Sequence, residues 1–263
     1  MNLELAKKVL AISQEAGELI MGFYRGSFTV THKADDSPLT QADMAAHKHI
    51  SAALEKLTPE IPVLSEEAAD IPYEVRKSWK RYWLVDPLDG TREFVKRHDD
   101  FTVNIALIEG GDPVIGVVHV PVQNVSYYAV RGAGAYELNA GVERRIYVRT
   151  PVPAVPRFVV TRSHRDATLD ALLAKLPAHE AKSRGSALKI CLVAAGDADL
   201  YPRTGPTSEW DTAAGHCVVD EAGGKILQLP ELTPLRYNQK DSLLNPGFVV
   251  IGDQQYGWES YLK

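Results

Sequence analysis

The segment Tyr82–Glu93, with the sequence YWLVDPLDGTRE, constrains the fold more than any other part of the chain. Its first four residues form a short apolar run that is typical of a buried strand. Asp86 and Asp89 follow on either side of a proline turn, and Gly90 and Thr91 close the loop. Carboxylates suit hard cations, which prefer oxygen ligands, and a Gly-Thr step offers N–H groups and a hydroxyl to a phosphate. The segment therefore indicates metal-assisted transfer of a phosphoryl group to water.

The composition excludes one large class of partner. The chain has 263 residues, of which 45% are hydrophobic and 24% are charged, so it can bury the core of one large domain or of two modest ones. The formal net charge of −5 provides no basic field for nucleic acid, so anion binding must depend on local groups or metals. We expect a small-molecule substrate and no nucleic-acid partner.

The cysteines and the hydropathy pattern favour a cytoplasmic location. Cys191 and Cys217 lie in apolar surroundings without C-x-x-C spacing, which favours two buried thiols, although a single disulfide stays open. The first eight residues lack a signal-peptide core, and no run reaches the ~18 apolar residues of a transmembrane helix. We expect a soluble monomer or homodimer, with peripheral association with the cytoplasmic face of the inner membrane left open.

The first half of the chain has an α+β pattern. Apolar residues at three- and four-residue steps predict a helix from Leu3 to Phe23, and a second helix starts near Thr40. Apolar runs then predict a series of strands, which is the helix-then-meander order of an α+β unit. These runs are Ile61–Leu64, Tyr82–Asp86, Phe101–Ile108, Pro113–Val122 and Val125–Val130.

The second half has the alternating pattern of an α/β unit. Three prolines within residues 150–157 indicate a linker, so we predict domains at 1–153 and 154–263. Beyond the linker, predicted strands and helices alternate. The predicted strands are Phe158–Thr161, Ala198–Tyr201, Lys225–Gln228 and Phe248–Gly252, and the predicted helices are Ala167–Leu176, Ser186–Ala195 and Asp211–Ala222.

Further acids lie at the ends of predicted elements. Glu66 follows another apolar run, and Asp211 opens a predicted helix. Taken singly, Glu66 is typical of a solvated loop acid and Asp211 is typical of a helix cap. The Asp-Pro-Leu-Asp-Gly-Thr segment alone is typical of a surface turn. As one set flanked by apolar runs, they favour a metal site. Thr40 and Asp43 have capping-box spacing, which does not exclude Asp43 from also handling a proton.

These motifs resemble the lithium-sensitive, magnesium-dependent phosphatase superfamily that includes inositol monophosphatase, and within it the 3′(2′),5′-bisphosphate nucleotidase branch. The pairing of D-P-L-D-G-T with a later W-D is highly specific to the superfamily, whereas the branch has softer support. The resemblance covers nearly the whole chain, from Lys33 through Leu64–Glu67, Asp86–Thr91, Phe101–Ala106, Thr161–His164, Gly185–Lys189 and Gly205–Gly215 to Leu244–Phe248.

The resemblance implies an α+β domain followed by an α/β domain, layered as an αβαβα sandwich of the inositol monophosphatase and fructose-1,6-bisphosphatase type. Its site would lie between the halves and hold two Mg²⁺ ions, with a third left open. Thr91 would position the nucleophilic water, with Asp43 as its proton acceptor and Glu66 also catalytic. The implied metal ligands are Glu66, Asp86, the Leu88 carbonyl, Asp89 and Asp211.

The branch implies hydrolysis of adenosine 3′,5′-bisphosphate to AMP and phosphate, in the recycling of this product of sulfate assimilation. Helices beginning near the site would aim their positive ends at the phosphate. Arg184 and Arg203 are further candidate anion contacts. The implied substrate contacts are Glu66, Leu88, Asp89, Gly90, Thr91, Thr161, His164, Ser186, Lys189 and Asp211.

Alternatives remain open for the substrate contacts and for the activity. His164 alone reads as an ordinary loop histidine, and Lys189 as a solvated lysine on an amphipathic helix. An inositol phosphate or fructose bisphosphate is the alternative substrate, although the basic and aromatic character near Thr161 favours a nucleotide. A catalytically silent nucleotide-binding protein is the alternative from another class, and the complete set of acids argues against it.

Overall fold

The first half of the chain folds around a seven-stranded sheet. The computed structural model describes residues 3–26, 30–32, 38–162 and 166–262. The strands of the large sheet follow one another in chain order, with the first pair parallel and the others antiparallel. They are β3 (Val63–Ser65), β4 (Arg81–Asp89), β5 (Thr102–Glu109), β6 (Asp112–Val120), β7 (Val125–Val130), β8 (Gly134–Asn139) and β9 (Val142–Ile146), and a small separate sheet pairs β1 (Val30–His32) with β2 (Pro38–Thr40).

The second half forms a five-stranded mixed sheet. Its strands are β10 (Arg157–Thr161), β11 (Glu180–Arg184), β12 (Leu200–Arg203), β13 (Lys225–Gln228) and β14 (Phe248–Ile251). Their order in the sheet is β11-β10-β12-β14-β13, in which β10 runs parallel to both of its neighbours and β14 runs antiparallel to both of its neighbours.

The helices complete five layers, which confirms the αβαβα sandwich that the resemblance implies. The helices are α1 (Leu3–Arg25), α2 (Gln41–Leu57), α3 (Tyr73–Arg76), α4 (Thr91–Val95), α5 (Ala167–Lys175), α6 (Leu188–Ala194), α7 (Glu209–Glu221) and α8 (Glu259–Leu262), with a 3₁₀ turn at Glu66–Ala68. The pair α1 and α2 packs on the outer face of the large sheet, and α6 and α7 lie between the two main sheets. The pair α5 and α8 covers the outer face of the five-stranded sheet.

The large sheet is buried on both faces because side chains alternate along its strands. On β4, Trp83 and Val85 point toward α1 and α2, whereas Tyr82 and Leu84 point into the middle layer. A glycine lets α7 approach closely, since a Cβ at Gly116 would lie 2.2 Å from the carbonyl oxygen of Ala214. This contact brings the helix that carries Asp211 onto the sheet that carries Asp86.

The middle core layer joins the two halves of the chain. It contains Leu84 from the large sheet and Val159 from the five-stranded sheet, together with Cys191 and Cys217. Both cysteines are buried free thiols. The division at residue 153 stays a prediction. A boundary drawn there passes through this shared core layer. None of the helices in the described part of the chain has the length and apolar character needed to cross a bilayer.

Candidate active site

Two neighbouring strand ends supply the first acidic side chains of the site. Parallel pairing sets Ser65 of β3 opposite Val85 of β4, so the residues that follow, Glu66 and Asp86, lie side by side. The pairing of β4 with β5 shifts register between Asp86 and Asp89, which leaves an irregular end to the strand. Asp86 is buried and accepts a hydrogen bond from the backbone N–H of Leu88 at 3.1 Å.

The third aspartate comes from the first turn of α7. This helix begins at Glu209, two residues before the predicted start at Asp211, because Ser208 is its N-cap. Asp211 is therefore at the third helical position, where its Oδ2 accepts from the Ser208 backbone N–H at 2.8 Å in a capping box. The interpretation of Asp211 as the N-cap itself is wrong, although the residue does take part in the capping.

Asp86, Asp89 and Asp211 form one cluster, in which a carboxylate oxygen of each lies within 4.8 Å of the others. Burial raises the pKa of Asp86 well above its usual range, and the charges of Glu66, Asp89 and Asp211 raise it further. Burial, followed by the charge of Asp89, raises the pKa of Asp211 to about 8. Of the three side chains, Asp86 is buried and the other two are partly buried. Oxygen donors that repel one another in such a cluster fit a divalent cation, which would remove the repulsion.

Asp89 is oriented by the chain that precedes α6. Its Oδ2 accepts from the backbone N–H of Ala187 at 2.7 Å and from Asn104 Nδ2 at 3.1 Å. The hydroxyl of Ser186 donates to the Asp89 carbonyl at 2.9 Å. Gly90 fits here because its φ is +91° and an added Cβ would lie 2.3 Å from the Ser186 Oγ. Sequence analysis missed Ala187 and Asn104, whose roles depend on contacts between distant segments.

Thr91 and Asp43 form a hydrogen-bonded pair at the start of two helices. The Thr91 Oγ1 donates to Asp43 Oδ1 at 3.0 Å and also lies 3.2 Å from the Leu88 carbonyl oxygen. Asp43 Oδ2 accepts from the backbone N–H and the hydroxyl of Thr40, at 2.8 and 2.5 Å, which confirms the predicted capping box. Burial raises the pKa of Asp43, while its hydrogen bonds from Thr40 and Thr91 oppose this shift.

Lys189 is buried beneath the cleft, so its interpretation as a solvated surface lysine is wrong. Its Nζ donates to the Ser186 carbonyl at 2.7 Å and lies 5.1 Å from the ring centroid of Tyr201. Burial lowers the pKa of Lys189 to about 8, and the nearby charge of Asp89 opposes this shift. The predicted helix from Ser186 starts instead at Leu188, and Ser186 has a φ of +51°.

One cleft brings most of the predicted site residues together. It is lined by Glu66, Asp89, Gly90, Thr91, Thr161, Ser186, Lys189 and Asp211, while apolar side chains from Trp210, Leu244 and Phe248 form another part of its wall. Thr161 is buried at the end of β10. His164 lies outside the described residues, as does the segment from Lys33 to Ser37.

The two candidate arginines have different surroundings. Arg184 lies 3.9 Å from Asp100, which also pairs with Arg162 at 2.8 Å and accepts from the Gly185 N–H. Arg184 therefore belongs to an ion-pair cluster and does not line the cleft. Arg203 does line the cleft, and its guanidinium donates to the carbonyl oxygens of the loop after β12.

The helix N-termini near the site agree in part with the sequence prediction. The first turns of α2 and α4 meet through the bond between Asp43 and Thr91, and the first turn of α7 brings Asp211 to the cluster. These contacts bring the three helix starts close to the cleft. That their positive ends point at the phosphate stays a prediction.

A cluster of three aspartates beside a cleft, within a five-layer αβαβα sandwich, fits a metal-dependent phosphatase. The chain belongs to the inositol monophosphatase family, whose model matches residues 2–251. It is 52% identical over 246 residues to the 3′(2′),5′-bisphosphate nucleotidase CysQ of Escherichia coli, covering 92% of this chain and 98% of that protein. It is also 37% identical over 265 residues to the CysQ nucleotidase of Haemophilus influenzae, covering 100% of this chain and 98% of that protein.

Solved structures show the same relationship. The crystal structure of CysQ from Bacteroides thetaiotaomicron, a bacterial member of the inositol monophosphatase family, superposes with a TM-score of 0.84 at 41% identity, covering 95% of this chain and 97% of that one. The extragenic suppressor protein suhB from Bartonella henselae superposes with a TM-score of 0.82 at 26% identity, covering 98% and 97% of the two chains.

Proposed function

We propose that this protein is a Mg²⁺-dependent phosphatase that hydrolyses adenosine 3′,5′-bisphosphate to AMP and phosphate, and so recycles this product of sulfate assimilation. The observation that carries the proposal is the cluster of Asp86, Asp89 and Asp211 at the cleft, in a chain about half identical to proteins named 3′(2′),5′-bisphosphate nucleotidase. The two buried free thiols, Cys191 and Cys217, fit a reducing cytoplasm.

Five groups are the proposed ligands of the metal ions: Glu66, Asp86, the carbonyl oxygen of Leu88, Asp89 and Asp211. Glu66 and Asp86 would share one ion, and Asp86, Asp89 and Asp211 a second. Bound divalent cations neutralise a phosphate ester, lower the pKa of a bound water and stabilise the leaving oxygen. Ala187, Asn104 and Ser208 hold the aspartates in place, because their donors bind the Oδ2 atom of Asp89 or of Asp211.

Thr91 and Asp43 are the proposed route for the proton of the attacking water. The Thr91 hydroxyl donates to Asp43 Oδ1, so its remaining lone pairs can accept a hydrogen bond from the water. As the water attacks phosphorus, its proton passes to the Thr91 oxygen while the Thr91 proton moves to Asp43. Burial favours the protonated form of Asp43, since it raises the pKa of this carboxyl.

The cleft offers separate surfaces to the two ends of a nucleotide. The backbone N–H groups of Gly90 and Thr91 are the proposed donors to the phosphate that is cleaved. Lys189 and Arg203 supply positive charge for the phosphate that is retained. The apolar wall at Trp210, together with Thr161 and the loop that carries His164, would contact the nucleoside.

The alternative substrate is an inositol phosphate, since the family model that matches this chain carries that name. A polyol needs hydrogen-bonding partners for its hydroxyls and makes little use of an apolar wall, whereas a nucleobase can stack on one. Leu244 leaves 51% of its surface exposed at the cleft, which favours a substrate with a flat apolar face.

A side-by-side turnover assay tests the proposal. We expect faster phosphate release from adenosine 3′,5′-bisphosphate than from inositol 1-phosphate, at equal enzyme and Mg²⁺ concentrations. Asp89→Asn, purified in the same way, serves as the control for contaminating phosphatases. Faster release from inositol 1-phosphate would overturn the choice of substrate, and nucleotide binding without any turnover would support the catalytically silent alternative.

A further inference from the structure

Arg76, at the end of α3, is a buried arginine that holds a distant segment of the chain. Only 2% of its surface is exposed. Its Nη1 donates to Asn238 Oδ1 at 2.5 Å and to the Lys240 carbonyl at 3.2 Å, and its Nη2 donates to the carbonyl of Asp241. Asn238 Nδ2 donates back to the backbone carbonyl of Arg76 at 2.7 Å. Arg76 and the segment 238–241 are therefore joined by four hydrogen bonds, although they lie more than 160 residues apart.

This segment and Leu243, which follows it, bind the first residue of α7, Glu209. The backbone N–H of Asn238 lies 3.0 and 2.9 Å from the two carboxylate oxygens of Glu209. The backbone N–H of Glu209 in turn donates to the Leu243 carbonyl at 2.8 Å. Glu209 is 1% exposed and precedes Asp211 by two residues in the first turn of the helix. The start of α7 is therefore fixed by the segment that Arg76 holds.

Arg76 itself belongs to the connection between β3 and β4, which also carries Glu66. This connection leaves β3 at Ser65, passes through the 3₁₀ turn that begins with Glu66, and ends in α3 before the chain enters β4. The hydrogen bonds of Arg76 therefore tie the connection bearing one proposed metal ligand to the helix bearing another. Asn238 and Glu209 are the intermediate links.

Charge and geometry explain why an arginine occupies this position. A buried guanidinium is costly unless it is paired. Burial raises the pKa of the nearby Glu209 carboxyl to about 7, and the positive charge of Arg76 opposes this shift, so the two groups attract each other when Glu209 is ionised. The planar fork of arginine can donate to three acceptors in fixed directions, which neither lysine nor an apolar side chain can do. The arrangement therefore fixes the spacing of the two segments more narrowly than apolar packing would.

We propose that Arg76 is a positioning residue for the metal site. Through Asn238 and Glu209 it holds the start of α7, and with it Asp211, against the connection that carries Glu66. The inference rests on the proposed function in one respect, the binding of Mg²⁺ by these acids. It does not depend on which phosphate ester is hydrolysed. Loss of the Arg76 contacts should weaken Mg²⁺ binding about 10-fold. This is the low end of the cost of losing a direct partner of a metal ligand, because Arg76 acts on the ligands only through other residues.

Three variants and one control test the role of Arg76. Arg76→Met removes the fork, and Arg76→Lys keeps the charge without it. Asn238→Gly removes only the amide, since glycine accepts the Asn238 φ of +55° and keeps the N–H that binds Glu209. Arg149→Met is the matched control, because Arg149 pairs with the buried Asp199 at the end of β12 away from Arg203.

The measurement is the Mg²⁺ dissociation constant, taken by calorimetry in the absence of substrate, together with the Mg²⁺ concentration for half-maximal turnover. We expect both to rise about 10-fold in Arg76→Met and Asn238→Gly, and to rise in Arg76→Lys. Arg149→Met should lose thermal stability but keep the Mg²⁺ affinity of the unmodified protein. If Arg76→Met does not fold, Arg76→Lys and Asn238→Gly decide the question.

Mg²⁺ affinity equal to that of the unmodified protein in the folded variants would overturn the role of Arg76 while leaving the proposed function intact. Equal weakening in Arg149→Met would also overturn it, because the effect would then follow general stability. An unmodified protein that binds no Mg²⁺ at all would overturn both this inference and the proposed metal site.

Discussion

The side chain of Thr91 donates a hydrogen bond to Asp43 at 3.0 Å, and the two oxygens of that carboxylate have separate partners. Asp43 Oδ2 caps α2 by accepting from Thr40, while Oδ1 faces Thr91 at the cleft. The two interpretations of Asp43, as a helix cap and as a proton acceptor, are therefore compatible in geometry. The cap fixes the rotation of the carboxylate, which keeps Oδ1 directed at the threonine.

Replacing Thr91 separates water activation from metal binding. Thr91→Val removes the hydroxyl and keeps the shape of the side chain, so we expect kcat to fall by about 100-fold or more, within the range of general acid–base effects. Thr91→Ser keeps the hydroxyl and should retain most of the activity. Steady-state kinetics on both variants checks this. Equal activity in Thr91→Val and the unmodified protein would exclude the proposed proton route.

Removing one carboxylate charge from the cluster should nearly abolish turnover. Asp89→Asn and Asp211→Asn each delete a proposed ligand charge and keep a side chain of the same size, so the fold should survive. We expect each to lose more activity than the ~10- to 100-fold cost of losing an outer partner of a metal ligand. Steady-state assays at saturating Mg²⁺ measure the loss. Activity close to that of the unmodified protein in both variants would mean that the metal assignment is wrong.

Mg²⁺ should stabilise the folded protein, because it binds the assembled cluster and not the separated acids of the unfolded chain. At a concentration 100 times the dissociation constant, the gain is about 2.7 kcal/mol, or roughly 5–10 °C in Tm for a chain of this length. Thermal melts in EDTA and in Mg²⁺ measure this shift. Asp211→Asn should show a smaller shift, and an unaltered one would argue that Mg²⁺ binds elsewhere.

Acid should destabilise the protein partly through a buried histidine that does not belong to the metal cluster. Burial lowers the pKa of His119 to about 4, and its Nδ1 lies 2.8 Å from the Ser126 hydroxyl. Because an unfolded histidine titrates near 6.5, the unfolded state binds more protons between these values. Stability is therefore lost as the pH falls from about 6.5 toward 4, by up to about 3 kcal/mol from this group.

Urea unfolding of the unmodified protein and of His119→Gln at pH 7 and pH 4.5 measures the contribution of His119. The variant loses packing against Gly17, so its stability at pH 7 is the reference for its own pH dependence. We expect a shallower loss of stability with acid in His119→Gln. The same slope in both proteins would assign the acid sensitivity to other groups.

The proximity of the site residues could be predicted from the sequence where one local motif contains them. Asp86, Asp89 and Thr91 lie within six residues of one strand end, so their proximity follows from the turn. The proximity of Glu66 and Asp211 depends on the parallel pairing of β3 with β4 and on the approach of α7 to the large sheet. The residue pattern grouped those two residues with the others as acids flanked by apolar runs, and the resemblance to the family assigned them as ligands of the same metal ions.

Five strands escaped prediction. The paired strands β1 and β2 have only three residues each, and the side chains of the other three carry too weak an apolar signal. β9 has the sequence VERRI and β11 the sequence EAKSR, and most of their residues are exposed. Both are edge strands that pair with a single neighbour, as is clear from the order of the two sheets. β8 lies between β9 and the rest of the sheet and has a partly polar outer face.

Arg76 could not have been predicted as a buried residue. It lies in the polar sequence YEVRKSW, where its neighbours Glu74 and Lys77 are exposed. Its burial depends on Asn238, which lies 162 residues further along the chain. Contacts of this kind leave no periodic pattern in a single sequence, so they become visible only in the folded structure.

A crystal structure with bound Mn²⁺ and AMP would test the central claim most directly, because Mn²⁺ can take the place of Mg²⁺ and is located by its anomalous scattering. We predict anomalous peaks between Asp86, Asp89 and Asp211 and beside Glu66, with the phosphate of AMP facing the N–H groups of Gly90 and Thr91. Metal peaks only outside this cluster, or AMP bound with no metal near the three aspartates, would contradict the account.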